Sequence, residues 1–457
     1  MSQTQPFLSL STLFATGRAP NHPIAFDAQG ERHWQQFLAQ VAALCQRLNR
    51  EPAKKVALCC LDSYHFAVGF FALCYSQKAL ILPGNYQPSA LAELSSEFDL
   101  LLCDHKIAQS TSLPHLLLEP ESMESASYVF KPLDVENLTL TLFTSGSSGV
   151  PKAIAKTIKQ LDIEIEILQR LFGAQLTNCR IESTVSHQHI YGLLFRLLWP
   201  LCAGRAFARY NLEYPEQLIA HAEEKVALIS SPALLKRLAQ EHQTGAFAAI
   251  FSSGGPLSFQ AAHDAQQLFT QWPIEVFGST ETGGIAYRQQ VCEHQPWTLF
   301  PGVEVMLNEE RCLRLRSPHI YPHHWYQTAD ECELLGERQF ILKGRTDRVI
   351  KIEEKRVSLV EVEKRLEQLA WFSESAVIPM QENDRLVLVA ALVLNQTGKQ
   401  QIEDIGKGKF WLQLRAELRQ WLEPIAIPRR YRLVEHIPLN SQGKRLNNEI
   451  EMLFQSN

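Results

Sequence analysis

Apolar runs alternate with polar turns over much of the chain, and their order predicts a parallel α/β sheet. Residues 55–61, KVALCCL, have the pattern of a buried strand, residues 63–77 that of a helix, and residues 78–85 that of a second strand. This order indicates a βαβ unit. Asp62 and Ser63 lie where strand meets helix, and we expect them to cap the helix.

Three more helices are predicted from apolar spacing and end signals. Thr157 and Gln160 form a capping-box pattern before a helix that should stop at Gly173. Ser231 followed by Pro232 predicts a helix start, and this helix should run to about residue 242. A third helix is expected over residues 259–272.

Three predicted strands end in glycine and hydroxyl residues. The first end, TSGSSGVPK at residues 144–152, follows the apolar run 138–143; the others are SSGGP at 252–256 and FGSTETGG at 277–284. The carboxyl ends of parallel strands gather at one edge of a sheet. We therefore expect the second and third of these loops to lie at one edge and to form the ligand crevice.

The first loop has the chemistry of a polyphosphate site. Its glycines let backbone N–H groups approach a ligand, its hydroxyls can donate hydrogen bonds, and Lys152 supplies a positive charge. The spacing GxxGxPK differs from the GxxxxGK[ST] of a P-loop NTPase, and Pro151 blocks direct entry into a helix. Taken alone, the loop could also be a plain serine- and glycine-rich turn.

Residues 183–201 place His187, His189 and Tyr191 directly before an apolar helical run. The two histidines could be ordinary hydrogen-bonded residues, could ligate zinc if further ligands were present, or could form a pocket wall.

The last third of the chain begins with a charged cluster and continues as a small α+β unit. Asp330, Arg345, Asp347, Arg348 and Lys351 lie in hairpin-like surroundings, which is compatible with a solvated hairpin as well as with a site. A helix over residues 358–369, strands near 376–379 and 386–394, a helix over 410–422 and a strand over 431–435 are then predicted, within the usual size of a domain.

Composition narrows the class of protein. The net charge of −5 gives no general attraction to nucleic acid or to an anionic membrane. The ten cysteines include no CxxC pair, which favours a reduced, cytoplasmic protein with neither a zinc site nor a disulfide framework. We expect neither a signal peptide nor a membrane-spanning helix.

In their order along the chain, these motifs resemble those of the adenylate-forming superfamily, which includes acyl- and aryl-CoA synthetases, peptide-synthetase adenylation domains and luciferases. TSGSSGVPK matches the family's TSGSTGxPK with one Thr-to-Ser change, FGSTE matches [YF]GxTE, and residues 344–351 match GRxDxxIK. The family's TGD is present as Thr328, Ala329 and Asp330, and its terminal GK as Gly443 and Lys444.

The resemblance implies roles for the matched residues. Phe277 would flank adenine, Asp330 would hold the ribose hydroxyls, Thr280 would contact phosphate, Glu281 would hold Mg²⁺, and Lys444 would be the adenylation lysine. The nucleotide site would comprise Thr144, Ser145, Gly146, Ser147, Ser148, Gly149, Lys152, Ser253, Gly254, Gly255, Phe277, Gly278, Asp330 and Arg345. The acid pocket would include His189, Tyr191 and Gly192, and the hinge would be Asp347.

Two departures from the family pattern bear on the substrates. Glu354 stands where the family usually has a glycine beside the pantetheine tunnel. The aspartate with which amino-acid-activating members bind the α-amino group is missing near His189, so an amino-acid substrate is disfavoured. The segment KIEEKRVSLVEVE is similar to stand-alone ligases that load aryl acids onto acyl carrier proteins in aryl polyene pathways.

The implied fold is α/β, with a large N-terminal domain of parallel-rich sheets and flanking helices at residues 1–346 and a small mobile α+β lid domain at residues 347–457. The implied enzyme uses ATP and Mg²⁺ to adenylate a carboxylic acid, releases pyrophosphate, and transfers the acyl group to a phosphopantetheine thiol. A hydroxybenzoate-like aryl acid and an acyl carrier protein are the favoured substrate and acceptor, and a fatty acyl- or aryl-CoA synthetase is the alternative. A P-loop kinase or ATPase would form ADP instead of AMP, and a nucleotide-binding module without catalysis is a further class.

Overall fold

The computed structural model describes residues 5–84, 86–119, 128–145, 151–238, 244–320, 322–352, 355–382, 385–422, 424–440 and 445–455. The chain forms two compact units. The first comprises Met1–Glu304 and Arg316–Tyr326, and the second comprises Val305–Leu315 and Gln327–Asn457. The domain boundary proposed between residues 346 and 347 stays a prediction.

The first unit holds fifteen labelled strands and eleven labelled helices among its described residues. The strands are β1 (Pro23–Asp27), β2 (Gly30–His33), β3 (Lys55–Cys59), β4 (Ala79–Leu82), β5 (Leu100–Cys103), β6 (His115–Leu117), β7 (Thr139–Ser145), β8 (Pro151–Thr157), β9 (Arg180–Ser183), β10 (Phe207–Ala208), β11 (Val226–Ser230), β12 (Ala249–Ser252), β13 (Ile274–Ser279), β14 (Gly283–Gln289) and β15 (Trp297–Leu299). The helices are α1 (Leu13–Thr16), α2 (Trp34–Leu48), α3 (Ser63–Tyr75), α4 (Pro88–Glu93), α5 (His105–Ala108), α6 (Ile158–Phe172), α7 (Ile190–Gly192), α8 (Trp199–Ala203), α9 (Pro215–Ala220), α10 (Pro232–Leu235) and α11 (Phe259–Phe269).

Two sheets organise the first unit, and both are rich in parallel pairs. One has the strand order β6-β5-β3-β4-β7-β8, in which every pair is parallel except β7 with β8. In the other, β13, β12, β11, β9, β10 and β1 lie side by side in that order with parallel pairing. The α/β class predicted from the sequence is confirmed.

The predicted βαβ unit is present as β3, α3 and β4, with Val56 paired to Leu80. Asp62 caps α3, because its carboxylate accepts the backbone N–H groups of Tyr64 and His65 at 2.8 and 3.1 Å. The capping box of Thr157 and Gln160 is also formed at the start of α6.

Helices α10 and α11 end before the residues predicted for them, and α14 spans Lys407–Leu418 instead of 410–422. Helix α10 ends at Leu235 instead of near residue 242, and residues 239–243 lie outside the described part of the chain. Helix α11 ends at Phe269 because Thr270 adopts a left-handed conformation with φ of 62°.

The second unit contains the predicted α+β arrangement. Its strands are β16 (Glu304–Leu307), β17 (Cys312–Arg316), β18 (Tyr326–Leu335), β19 (Gln339–Arg345), β20 (Val349–Ile352), β21 (Lys355–Ser358), β22 (Phe372–Glu382), β23 (Arg385–Leu394) and β24 (Arg430–Leu433). Its helices are α12 (Leu359–Glu367), α13 (Gln396–Ile405), α14 (Lys407–Leu418) and α15 (Asn447–Gln455). Strands β22, β23 and β24 form a sheet whose apolar side chains pack with α12 and α14. Among the described residues of both units, every helix is too short or too polar to cross a bilayer.

Candidate active site

The first predicted phosphate-binding segment lies on an antiparallel hairpin at the edge of the six-stranded sheet. Strands β7 and β8 pair so that Thr144 faces Lys152 and Ser145 faces Pro151. Thr144, Ser145 and Lys152 therefore lie at the described ends of these two strands. The predicted residues Gly146, Ser147, Ser148 and Gly149 fall outside the described part of the chain.

The second and third predicted loops are neighbours. Strands β12 and β13 pair in parallel, and the Ser253 hydroxyl at the end of β12 donates to the Val276 carbonyl at 2.8 Å. This contact places the Ser253–Gly255 segment beside Phe277, whose ring lies 5.4 Å from that of Trp297. The expectation that these strand ends share one edge is met for this pair of loops.

Gly278 allows the third loop to close as a tight hairpin between β13 and β14. It lies opposite Gly284, and a Cβ atom at Gly278 would come within 2.1 Å of the Gly283 carbonyl oxygen. Ser279 and Thr282 tie the turn through a Ser279 N–H bond to the Thr282 hydroxyl at 3.0 Å and a Thr282 N–H bond to the Ser279 hydroxyl at 3.2 Å. This turn presents Thr280 and Glu281 at its apex.

Lys152 and Glu281 meet across the first and third loops. The Lys152 ammonium nitrogen lies 2.7 Å from a carboxylate oxygen of Glu281, although the two residues are 129 positions apart. Burial alone would raise the pKa of the Glu281 carboxyl, but the hydrogen bond and the charge of Lys152 bring it below its ordinary value. The same bond raises the pKa of Lys152. Both groups are therefore held in their charged forms.

A second lysine contacts the third loop from the protein interior. Lys156 is 3% exposed, and its ammonium group donates to the Glu281 backbone carbonyl at 3.2 Å. Burial lowers the pKa of Lys156, while attraction to the carboxylates of Glu164 and Glu281 opposes that change. A buried ammonium group needs such compensation to stay charged.

Glu164 of α6 holds the other end of the same turn. It is 2% exposed, and one carboxylate oxygen accepts the Gly284 N–H at 2.7 Å. The His319 imidazole Nε2 donates to the Gly284 carbonyl at 2.8 Å, which fixes the next peptide group of the chain. Gly283 has φ of 63°, and a Cβ atom there would come within 2.4 Å of the second Glu164 oxygen.

Lys156 and Glu164 were missed by sequence reasoning, although the chain carries a signal for each. Lys156 is two residues from the buried Ile154 on β8, so it lies on the inward face of the strand. Glu164 lies three residues after Leu161 and four before Leu168, on the apolar face of α6. A charged residue on a predicted inward face is therefore a sequence signal of such a buried support.

The His187–Gly192 segment forms part of the protein interior. His187 is 2% exposed; its Nε2 donates to the Cys60 carbonyl at 2.8 Å, and its Nδ1 lies 3.1 Å from the Ser63 hydroxyl. Burial lowers the pKa of His187 well below its ordinary value, so the ring is neutral. The hydrogen-bonded alternative thus holds for His187. No group of three or more His, Cys, Asp and Glu residues suited to a metal ion occurs among the described residues.

Three predicted pocket residues follow at the start of α7. His189 precedes the helix, and Gly192 approaches the Ser186 carbonyl so closely that a Cβ atom would lie 2.0 Å from its oxygen. The Tyr191 ring lies 4.9 Å from that of Phe195. Its hydroxyl is buried and has no hydrogen-bond partner among the described residues, which is unusual for a phenol.

In the second unit, Asp330 and Arg345 face each other across β18 and β19. The Arg345 guanidinium lies 3.1 Å from an Asp330 carboxylate oxygen, and Asp330 is 6% exposed. Asp347 lies in a single 3₁₀ turn between β19 and β20. Glu354 and the predicted catalytic Lys444 fall outside the described residues.

Glu363 binds both Arg348, which follows Asp347 in the chain, and Arg445, which follows Lys444. Its carboxylate accepts two hydrogen bonds from the Arg348 guanidinium, at 2.6 and 2.8 Å, and another from Arg445. Burial would raise the pKa of Glu363, but these two arginines lower it below its ordinary value. The network anchors both ends of the segment that runs from the predicted hinge to the predicted lysine.

Three relatives show which known proteins the chain is similar to. VraA of Staphylococcus haemolyticus, named as a candidate long chain fatty acid-CoA ligase, is 24% identical over 72% of this chain and 73% of its own length. The 4-coumarate–CoA ligase of Rhodobacter capsulatus is 27% identical over 66% of this chain and 73% of its own length. The D-alanine–D-alanyl carrier protein ligase of S. haemolyticus is 29% identical over 26% of this chain and 23% of its own length.

The fold also matches a solved structure over nearly its whole length. ATP-bound MatB from Rhodopseudomonas palustris superposes with a TM-score of 0.79 at 16% identity, covering 99% of each chain. Residues 15–314 match the family described as AMP-binding enzyme, which is well over half of the chain. The protein therefore belongs to the AMP-binding enzyme family, and it is an AMP-forming acid–thiol ligase of the adenylate-forming superfamily.

Proposed function

We propose that the protein activates an aromatic carboxylic acid with ATP and Mg²⁺ and transfers the acyl group to the phosphopantetheine thiol of an acyl carrier protein. The observation that carries the adenylation chemistry is the contact of Lys152 with Glu281 at 2.7 Å. It joins a cation suited to phosphate and a carboxylate suited to a metal ion, from two motifs far apart in the chain.

The donor set fits Mg²⁺ bound to a polyphosphate. Glu281 is ionised and offers a hard carboxylate oxygen, the ligand type that Mg²⁺ prefers when it binds with nucleotide phosphates. Bound Mg²⁺ would neutralise phosphate charge at this position. Lys152 is close enough to pair with a phosphate oxygen beside it, and the Thr280 hydroxyl at the same turn can donate to another.

The reaction needs no nucleophile from the protein. A carboxylate oxygen of the acid bonds to the α-phosphorus as the bond from that phosphorus to pyrophosphate breaks. The thiol sulfur then bonds to the acyl carbon, AMP leaves, and the thiol proton passes to solvent. Because ATP brings about four negative charges, positioning and charge stabilisation by Lys152, Thr280 and Lys444 carry the rate in this proposal.

Tyr191 supports an aromatic acid. Its ring and that of Phe195 favour ring packing, and its buried hydroxyl has no partner among the described residues. A phenol or amine on the ring of the acid would satisfy that hydroxyl. The similarity to 4-coumarate–CoA ligase supports the same class.

The carrier protein as acceptor is supported by the local similarity to D-alanyl carrier protein ligase and by the segment around residues 351–363. The similarity to VraA favours the competing function, a fatty acyl-CoA ligase. The ten thiols are free, and nine are buried, which supports action in a reducing cytoplasm.

An acid panel tests the substrate class. Acid-dependent exchange of pyrophosphate into ATP should be faster with hydroxy- or aminobenzoates and hydroxycinnamates than with fatty acids or amino acids. Tyr191→Phe should lower kcat/KM about tenfold for the ring-substituted acids and leave benzoate within about twofold, as expected for one lost hydrogen bond. Faster turnover with a long-chain fatty acid than with any aryl acid would establish the competing function.

A further inference from the structure

Four arginines of the second unit surround one surface cavity of about 380 Å³. They lie on α14, on its C-cap, directly before β24 and at the start of β24, and we call them the arginine cluster: Arg415, Arg419, Arg429 and Arg430. The other side chains that line the cavity are Glu382, Pro424, Ile427 and Pro428. A cavity with this lining has the charge of an anion-binding surface.

The positive charge of the arginine cluster is only partly neutralised. Arg430 forms an ion pair with Glu382 at 3.0 Å. Arg415 donates to the Arg429 backbone carbonyl at 2.7 Å, and this neutral group does not cancel the charge of Arg415. Arg419 and Arg429 are exposed, and neither guanidinium has an ion pair or hydrogen bond within the described residues. Residues 407–432 contain seven lysines and arginines but two glutamates, in a chain whose net charge is −5.

Exposed apolar side chains accompany these charges. Leu412 is 70% exposed, and it lies three residues before Arg415 and seven before Arg419, on one face of α14. Trp421 is 60% exposed just beyond the end of that helix. Arginine together with exposed aromatic and aliphatic groups is typical of a protein interface, whereas a small anion needs no apolar contact.

We propose that the arginine cluster docks the acidic face of the carrier protein whose phosphopantetheine thiol accepts the acyl group. This inference rests on the carrier-protein part of the proposed function. Opposite charges on the two surfaces accelerate their encounter and fix the register of docking, while Leu412 and Trp421 supply contact area. The surface serves only the second half-reaction, because the adenylate forms before a carrier is needed.

The test compares three acceptors with one enzyme preparation. Thioester formation is measured with a holo acyl carrier protein of bacterial fatty acid synthesis, with CoA and with free pantetheine, and pyrophosphate exchange is measured without an acceptor. The variant Arg419→Glu/Arg429→Glu is compared with the control Lys364→Glu/Lys399→Glu, which reverses two exposed charges that do not line the cavity. Arg419→Gln/Arg429→Gln provides a milder change if the reversal lowers the melting temperature.

We expect the reversal to raise KM for the carrier protein about tenfold or more and to leave exchange, CoA and pantetheine within about twofold. The wild-type KM for the carrier should rise with NaCl, and that for pantetheine should not. An unchanged KM for the carrier overturns the proposal. Equal losses with the carrier and CoA but not with pantetheine would identify a phosphate site instead, and equal losses with all three would locate the effect in the active site.

The same measurements distinguish an error in the proposed acceptor from an error in the proposed docking surface. If the wild-type enzyme exchanges pyrophosphate and acylates CoA but never acylates the carrier, the carrier assignment is wrong and the docking surface falls with it. If the wild type acylates the carrier and both arginine variants do so equally well, the docking surface alone is wrong.

Discussion

Two lysines of β8 reach the same residue of the third loop. Lys152 binds the carboxylate of Glu281 and is about half exposed, whereas Lys156 binds its carbonyl from the interior. At the scale of single residues, one lysine is available to a ligand and the other supports the turn that presents Glu281.

Glu281→Ala should abolish most Mg²⁺-dependent adenylation with little loss of stability, because a polar residue at the apex of a loop contributes mainly to the site. We expect pyrophosphate exchange to fall about hundredfold or more, as for one lost electrostatic group. Melting temperature and exchange are measured beside Glu293→Ala, which removes an exposed glutamate. Exchange at the wild-type rate in Glu281→Ala would disprove its assigned role.

Lys156→Met should destabilise the protein and also weaken adenylation. The change leaves the Glu281 carbonyl without this donor and removes a cation that attracts the buried Glu164 carboxylate; a buried polar group left unsatisfied costs about 1–3 kcal/mol. Adding Glu164→Gln to this variant should recover part of the stability. A double-mutant cycle, with the free energy of unfolding and the rate of pyrophosphate exchange as readouts, therefore measures the coupling between Lys156 and Glu164.

Lys159→Met is the control for this cycle, because Lys159 lies on α6 with an exposed side chain paired to Glu136. Additive losses in the Lys156 and Glu164 variants would show that the two groups act independently. That outcome would mean that Lys156 and Glu164 support the turn separately, through the Glu281 carbonyl and the Gly284 N–H.

The sequence predicts the residues of the site better than it predicts the residues that hold them in place. Phe277, Glu281 and Lys152 belong to short motifs with strong spacing, so their grouping could be expected before the fold was known. The roles of Glu164 and His319 depend on contacts with the backbone of Gly284, 120 residues after Glu164 and 35 before His319. Such contacts have no local sequence pattern.

At the scale of elements, predictions succeed where apolar spacing and end signals agree. Helix α6 has both a capping box and a closing glycine, and it was predicted to the residue at its end. Helices α13 and α15 were missed. The only buried residue of α13 is Gly398, although Asn395 caps this helix by accepting the Gly398 N–H, a signal present in the sequence.

Glu363→Ala should lower the stability of the second unit by about 3 kcal/mol, the lower end for breaking a buried ion pair, because Arg348 and Arg445 are partly exposed. Thermal unfolding measures this loss, with Glu374→Ala on β22 as a partly exposed control.

The ion pairs of the Glu363 carboxylate also make the stability of the folded protein depend on pH. The folded pKa of Glu363 is below the value of 4.5 for the free side chain. Its stabilising contribution is therefore present above pH 4.5 and is lost as the pH falls through the folded pKa. The difference in stability between wild type and Glu363→Ala should shrink over that range; a constant difference would mean that the Glu363 charge does not contribute.

At the scale of the whole molecule, the sequence indicates that two parts of the second unit serve different steps. Lys444 resembles the adenylation lysine, and residues 348–357 resemble the segment used when the thiol enters. We propose that the C-terminal domain turns about Asp347 between these steps. Position in the chain and motif identity support this proposal.

Lys444→Ala should separate the two half-reactions. Adenylation should slow about hundred- to thousandfold because a cation that bridges carboxylate and phosphate is lost. Thioester formation from supplied acyl adenylate should continue near the wild-type rate. Asp347→Pro, which fixes φ near −65°, should show the opposite selectivity. Equal losses in both steps for Lys444→Ala would contradict domain alternation.

In the proposed reaction the acid attacks the α-phosphorus of ATP, and oxygen-18 transfer from the acid shows which phosphorus is attacked. The acid is labelled in its carboxyl group and incubated with ATP, Mg²⁺ and an acceptor thiol, and the products are analysed by mass spectrometry. Attack at the α-phosphorus predicts one labelled oxygen in AMP and none in pyrophosphate, with no ADP formed. Label in inorganic phosphate together with ADP would show transfer of the terminal phosphate and would exclude attack at the α-phosphorus.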